Sequence, residues 1–312
     1  MNEYKSTRTA FGEALLEVAE NGIDLAAVSA DTSKSMGVDI LSKKYPQRCF
    51  NCGIAEQDMM IIAAGIASTG KLAFAVSYSA FTSMRSLEQL RTFICYPNLN
   101  VKVAAGLGGF SAGIEGVTHM ALEDLGIVRN IANLIVLNPS DYYSTKKVVH
   151  EVSKINSPCY IRLGRDPSPV IFDKDYEFKI GKANRISCSG KDIGIITSGI
   201  ILSEVIKAVK KLEEQKIGID LIEMPTIKPI DKEAVINMAK SVKKIITIEE
   251  HNIIGGLYSA VCEILCAEFP KKVYPIAVPD VFTESGLPSE LIHKYGIDSD
   301  NIYKYVLKIT SK

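Results

Sequence analysis

The chain has 312 residues, with 36 Lys and Arg against 36 Asp and Glu, a formal charge of zero. A hydrophobic fraction of 47% beside 23% charged residues excludes a disordered chain, and the balanced charge excludes counterion-driven nucleic-acid binding. At roughly 100–200 residues per domain, the length predicts two domains.

Short apolar runs alternate with longer stretches of helical period, the pattern of parallel strands joined by crossover helices. In chain order the first half predicts an amphipathic helix over 10–20, with Phe11, Leu15, Leu16 and Val18 on one side, and strands at 25–29, 49–52, 72–76, 101–105, 134–137 and 159–163. A further helix is expected at 86–95. Six strands make one complete α/β domain, read as 1–170. The segment 165–191 is rich in Pro, Asp and Lys, which fit neither a sheet ladder nor a core, and a linker is placed at 171–190. A second, smaller domain over 191–312 has strands at 193–197, 219–223, 244–248 and 273–277, and a helix at 202–212 with Leu202, Val205, Ile206, Val209 and Leu212 on one face. The expected fold is two-domain α/β, each domain a mainly parallel sheet flanked by helices.

No apolar stretch reaches the ~20 residues of a membrane span, and Met1-Asn-Glu-Tyr-Lys lacks the pattern of a secretory signal. The expectation is a cytoplasmic chain without a membrane partner. Seven scattered cysteines form no disulfide framework and predict reduced thiols. Cys49-Phe-Asn-Cys52 has CxxC spacing, but no second CxxC or His pair completes a zinc set, so these are read as structural thiols at the end of a buried strand.

The most informative stretch is Phe50-Asn-Cys-Gly-Ile-Ala-Glu56-Gln-Asp-Met-Met-Ile-Ile-Ala-Ala-Gly. A strand runs into a glycine turn and then a largely apolar helix. Glu56 is either a capping acid comfortable beside the helix N-terminus or a buried acid kept for function, since burial of an unpartnered carboxylate is costly. Composition and spacing leave both readings open.

Asn51-Cys-Gly-Ile-Ala-Glu-Gln-Asp-Met resembles the pyrimidine-domain signature of the transketolase and deoxyxylulose-phosphate-synthase group of thiamine-diphosphate enzymes. The resemblance continues through Tyr78-Ser-Ala-Phe81-Thr-Ser-Met-Arg85, Glu115-Gly-Val-Thr-His119-Met, Tyr160-Ile-Arg-Leu-Gly-Arg165 and Glu249-Glu-His-Asn-Ile-Ile-Gly-Gly-Leu. It is specifically to the C-terminal half of transketolase, as found in split enzymes. There a separate N-terminal polypeptide holds the diphosphate and Mg2+ through a Gly-Asp-Gly motif, which this sequence lacks. The resemblance therefore implies half an active site with no metal ligands of its own, completed by an N-terminal transketolase subunit in an α2β2 heterotetramer.

By the same resemblance, Glu56 bonds the cofactor aminopyrimidine, whose protonation favours the tautomer that activates the cofactor for ketol transfer between sugar phosphates. Tyr78 and Phe81 match rings around the pyrimidine, although strand-end packing suits them equally. His119 matches a proton-moving imidazole. Arg165, Arg8 and Ser35 match phosphate-binding positions; an ordinary surface charge for Arg8 and a loop hydroxyl for Ser35 stay open. Asp31 matches an interface acid near the cofactor or serves as a strand-end turn former. Arg85 and Glu88, three residues apart, read as an exposed ion pair. His251 carries no catalytic role, because the second domain reads as scaffold and dimer contact.

Three positions depart from the pattern. Leu107 stands where a substrate-touching His is usual, Glu115 replaces an Asp that reads a donor hydroxyl, and Met120 replaces a Gln. All lie on the substrate side, so the expectation is a non-standard sugar substrate, with Glu115 among the substrate-binding residues. Two alternatives remain: the β subunit of another thiamine-dependent enzyme, whether 2-oxoacid-decarboxylating or deoxyxylulose-phosphate-synthase-like, and a non-catalytic partner subunit.

Overall fold

A parallel strand covered on both faces has no solvent side, so continuous apolar runs become central strands. The computed structural model, which describes residues 3–310, pairs such runs into a sheet ordered Thr226–Lys228, Ile135–Leu137, Cys159–Arg162, Val101–Gly106, Leu72–Tyr78, Leu25–Ser29, Cys49–Asn51. The six strands from the first half run parallel. The expectation that these six complete the domain is corrected by Thr226–Lys228, which crosses from the second half and pairs antiparallel with Ile135–Leu137. The second sheet is ordered Val273–Val278, Lys244–Asn252, Ile193–Thr197, Ile219–Glu223, Asn184–Cys188. Its first four strands are parallel and the last is an antiparallel edge. Asn184–Cys188 lies within the polar stretch read as linker. As a half-buried edge strand it shows no continuous apolar run.

Two further differences follow from local geometry. Cys49–Asn51 is an edge strand with a half-buried to exposed pattern, not a buried one. Cys49 and Cys52 are half-buried free thiols that burial pushes up. The helix expected at 86–95 is instead a short α-helical stretch, Leu87–Gln89, set between π-helical turns at Phe81–Arg85 and Leu90–Cys95.

The helix Thr7–Glu20 begins at Ser6, whose side chain accepts the Arg8 N–H at 3.2 Å. Its buried face, Phe11, Leu15 and Val18, packs into the core beside Phe74, with Leu16 at the margin. A Cβ on Gly12 would lie 2.2 Å from the Gly37 carbonyl, so only glycine lets this helix rest on the turn that holds Ser35. Tyr4–Lys5 pairs with Ser168–Pro169, which draws the start of the chain to the end of the first domain. Among the described residues no helix is long and apolar enough to cross a membrane.

Leu25–Ser29 has Cys49–Asn51 on one side and Leu72–Tyr78 on the other. The chain order reverses there, and the crevice outside the carboxyl ends of such strands is where open α/β sheets bind ligands.

Candidate active site

The candidate site residues of the first domain lie at or just beyond the carboxyl ends of parallel strands, apart from Arg8, which enters on the first helix. After Cys49–Asn51, Gly53 turns the chain with φ of 76°, and the helix Glu56–Ser68 begins at Glu56. Its first turn favours a carboxylate. Met59, Met60 and Ala63 bury the helix, and Glu56 itself is only 2% exposed. Glu56 is thus buried while still standing in the first helical turn, and it is not unpartnered. The Ser77 hydroxyl donates to it at 3.4 Å and the Arg85 guanidinium at 2.7 Å.

Arg85 is the residue that sequence reasoning misplaced. The expected exposed pair with Glu88 is not formed: Glu88 accepts from Gln89, while Arg85 turns inward to Glu56. The cause is the π-helical turn Phe81–Arg85, in which the Ser86 N–H reaches the Phe81 carbonyl at 3.1 Å. This wider turn lays the Arg85 guanidinium over the Phe81 ring, 4.1 Å from its centre. Such turns recur at functional sites, but no spacing rule marks this one.

The aromatic groups converge. Tyr78 and Phe81 have ring centres 5.9 Å apart, and the His119 ring lies 5.3 Å from Phe81 and 6.4 Å from Tyr78. His119 is half-buried, with Nδ1 3.0 Å from the Thr118 hydroxyl. From Tyr78 a polar chain leads outward. Its hydroxyl meets the Ser35 hydroxyl at 3.0 Å, Arg8 donates to the Ser35 carbonyl, and Arg8 Nε donates to the Arg165 carbonyl at 2.9 Å. Arg165 in turn forms an ion pair with Glu115. Burial, followed by the neighbouring Arg165 charge, lowers the Arg8 pKa. Arg8 thus spends two of its donors on the backbone carbonyls of Ser35 and Arg165.

The remaining positions are placed differently. Asp31 is exposed at φ of 58°, exchanging hydrogen bonds with Asn51 through its N–H at 2.9 Å and its carboxylate at 3.1 Å. That is the behaviour of a strand-end turn former. Leu107, also at positive φ, is 3% exposed and belongs to one apolar cluster with Phe110, Met120 and Leu122 of its own loop and Ile248 and Leu291 of the second half. The substitution of leucine for imidazole thus feeds an apolar core between the domains. Among the described residues no group of three or more His, Cys, Asp or Glu is arranged to hold a metal.

The buried acid is thus joined through Arg85 to the Phe81 ring of an aromatic cluster at the switch point of a parallel sheet. The architecture is that of a two-domain α/β protein with a candidate ligand crevice at the sheet's switch point. Residues 3–169 match the transketolase pyrimidine binding domain and residues 181–302 the transketolase C-terminal domain, and the chain belongs to the transketolase family. It is 39% identical to a transketolase C-terminal section of Methanocaldococcus jannaschii, over 99% of this chain and 98% of that one. It is 35% identical to one of the subunits of an apulose-4-phosphate transketolase of Phocaeicola vulgatus, covering 100% and 99%. It is 34% identical to a 6-deoxy-6-sulfo-D-fructose transketolase subunit of Clostridium sp., covering 98% and 94%. Among solved structures it superposes at a TM-score of 0.91 and 38% identity, over 98% of each chain, on a split-gene transketolase described as an inactive β4 tetramer. Membership implies thiamine diphosphate as the cofactor.

Proposed function

We propose that this chain is the C-terminal subunit of a two-component transketolase, moving a two-carbon ketol unit from a ketose donor to an aldose acceptor once joined to its N-terminal subunit as α2β2. The observation that carries the reading is Glu56, 2% exposed at a helix start and held by Arg85, whose guanidinium lies over the Phe81 ring of the Tyr78–Phe81–His119 cluster. Thiamine diphosphate, when bound, supplies the electron sink for C–C cleavage. With that cofactor bound, Glu56 would hold and exchange a proton at the pyrimidine ring nitrogen, and Tyr78 and Phe81 would orient the ring and exclude water from it. The half-exposed imidazole of His119 accepts or returns a proton at a substrate hydroxyl. Asp31, bonded to Asn51 and exposed at the strand end, stands where a partner subunit would reach it.

The sequence lacks a Gly-Asp-Gly motif, so the diphosphate and Mg2+ fall to the partner. The seven free thiols fit a reducing, cytoplasmic setting.

On the substrate side, Arg165, Arg8 and Ser35 gather donors suited to a terminal phosphate or sulfonate. The Glu115 carboxylate paired with Arg165 restricts which anion enters. With Leu107 withdrawn into the core, we assign the enzyme a non-standard sugar substrate. The relatives named for apulose 4-phosphate and sulfofructose support this assignment. The test is ketol transfer by the reconstituted pair. Glu56→Gln should lower kcat by about 10²–10⁴-fold, and near-normal activity in that variant would overturn the reading.

A further inference from the structure

The loop 107–122 carries Leu107, Glu115 and His119, yet much of what holds it comes from the second domain. The Glu250 carboxylate, on strand Lys244–Asn252, accepts the Phe110 N–H at 2.7 Å. The Gly286 N–H donates to the Gly113 carbonyl at 2.9 Å, and the Asn252 N–H to the Leu122 carbonyl at 2.6 Å. The Phe110 ring stacks on Tyr295 at 5.4 Å. Packing leaves no slack. A Cβ on Gly109 would lie 2.4 Å from the Glu250 carboxyl carbon, and one on Gly116 would lie 2.4 Å from the Ser285 hydroxyl. From the first domain, Arg162 closes the joint by donating to the Glu250 carbonyl at 2.9 Å and the Ala121 carbonyl at 2.5 Å while pairing with Asp124 at 3.1 Å.

Glu250 is 5% exposed. A carboxylate so placed can release its loop only by leaving both a buried acceptor and a backbone N–H unsatisfied, so the contact fixes position rather than merely adding stability. We infer that Glu250 is a positioning residue: through the Phe110 N–H it sets, from the second domain, where the loop presents Glu115 and His119, and so governs donor binding without touching the donor. The identity of the donor rests on the transketolase reading above, whereas the grip on the loop does not. Burial, opposed by Arg162, pushes the Glu250 carboxyl up to about 7. A protonated acid still accepts through its carbonyl oxygen, which is what glutamine offers at the same place.

The experiment compares Glu250→Ala, Glu250→Gln and Gly109→Ala, the last disturbing the same contact from the loop side. Amide hydrogen exchange is measured on the chain alone; donor kinetics and thiamine diphosphate affinity are measured on the assembled enzyme. Glu250→Ala should speed exchange across 107–122 and raise donor KM, each by about tenfold, with exchange across 56–68 unaltered. It should lower kcat several-fold as well, since His119 rides on the same loop, and leave cofactor affinity unchanged. Glu250→Gln should stay within about twofold of wild type throughout, and Gly109→Ala should repeat the alanine pattern. Unchanged exchange or unchanged KM in Glu250→Ala overturns the inference, as does a glutamine variant no better than alanine or a uniform loss that includes cofactor affinity. If 107–122 responds as expected while the wild-type complex transfers no ketol unit, the transketolase reading fails and the grip stands.

Discussion

Replacing Arg85 by alanine takes the cation from a carboxylate that is 2% exposed and leaves it the Ser77 hydroxyl at 3.4 Å. A hydrogen bond to a charged group contributes about 1.5–3 kcal/mol, and Arg85 is half-exposed and screened by solvent, which places the loss at the lower end. Removing the guanidinium from the Phe81 ring adds roughly 0.5–1 kcal/mol. The sum, about 2–3 kcal/mol, corresponds to a melting temperature lower by roughly 4–10 °C for a domain of this size. Glu56→Gln removes the charge and keeps the shape, so alanine at position 85 should cost far less in that background. Urea unfolding of wild type, both single variants and the double variant, followed by tyrosine emission since the chain has no tryptophan, should give a coupling of about 1–2 kcal/mol. Additivity within about 0.3 kcal/mol would refute the claim that Arg85 holds the buried acid.

Burial pushes the Glu250 carboxyl up to about 7 and that of Glu223 up to about 6, so each keeps its proton longer in the folded chain. Their stabilisation is complete below the ordinary value of 4.5 and is lost as pH rises through those values. The urea midpoint should therefore fall from about pH 5 to about pH 8, with a flatter slope in Glu250→Gln; the same slope in that variant would contradict this account. Arg165→Ala should raise KM for a donor ending in phosphate or sulfonate by about tenfold or more. Glu115→Gln, which frees Arg165, should lower it several-fold, and a rise would show that Glu115 binds the donor directly. Gly12→Ala sets a methyl 2.2 Å from the Gly37 carbonyl and should cost about 1–3 kcal/mol in unfolding measurements, whereas an unchanged midpoint would mean that the helix slides freely.

The central strands were legible because burial on both faces leaves a continuous apolar run. Ile193–Thr197 and Ile219–Glu223 fall where those runs end. Glu56 was legible as an acid with apolar neighbours on every turn of its helix. Edge strands were not: Asn184–Cys188 is half solvated and reads as polar linker, and Thr226–Lys228 completes the first sheet from a distant part of the chain. The Arg85–Glu56 pair spans 29 residues and depends on a π-helical turn whose extra residue has no signature. Leu107 stood out as a missing imidazole, but its burial against the second domain depends on tertiary packing that periodicity does not report.

The claim that this chain is half of a thiamine-dependent site is tested most directly by calorimetric titration of thiamine diphosphate with Mg2+, first into the chain alone and then into the chain mixed with its N-terminal subunit. Binding in the mixture alone is the predicted result, because the role proposed for Glu56, Tyr78 and Phe81 covers one end of the cofactor and the Gly-Asp-Gly grip on the other end is absent from this sequence. Tight binding by the chain alone would contradict it.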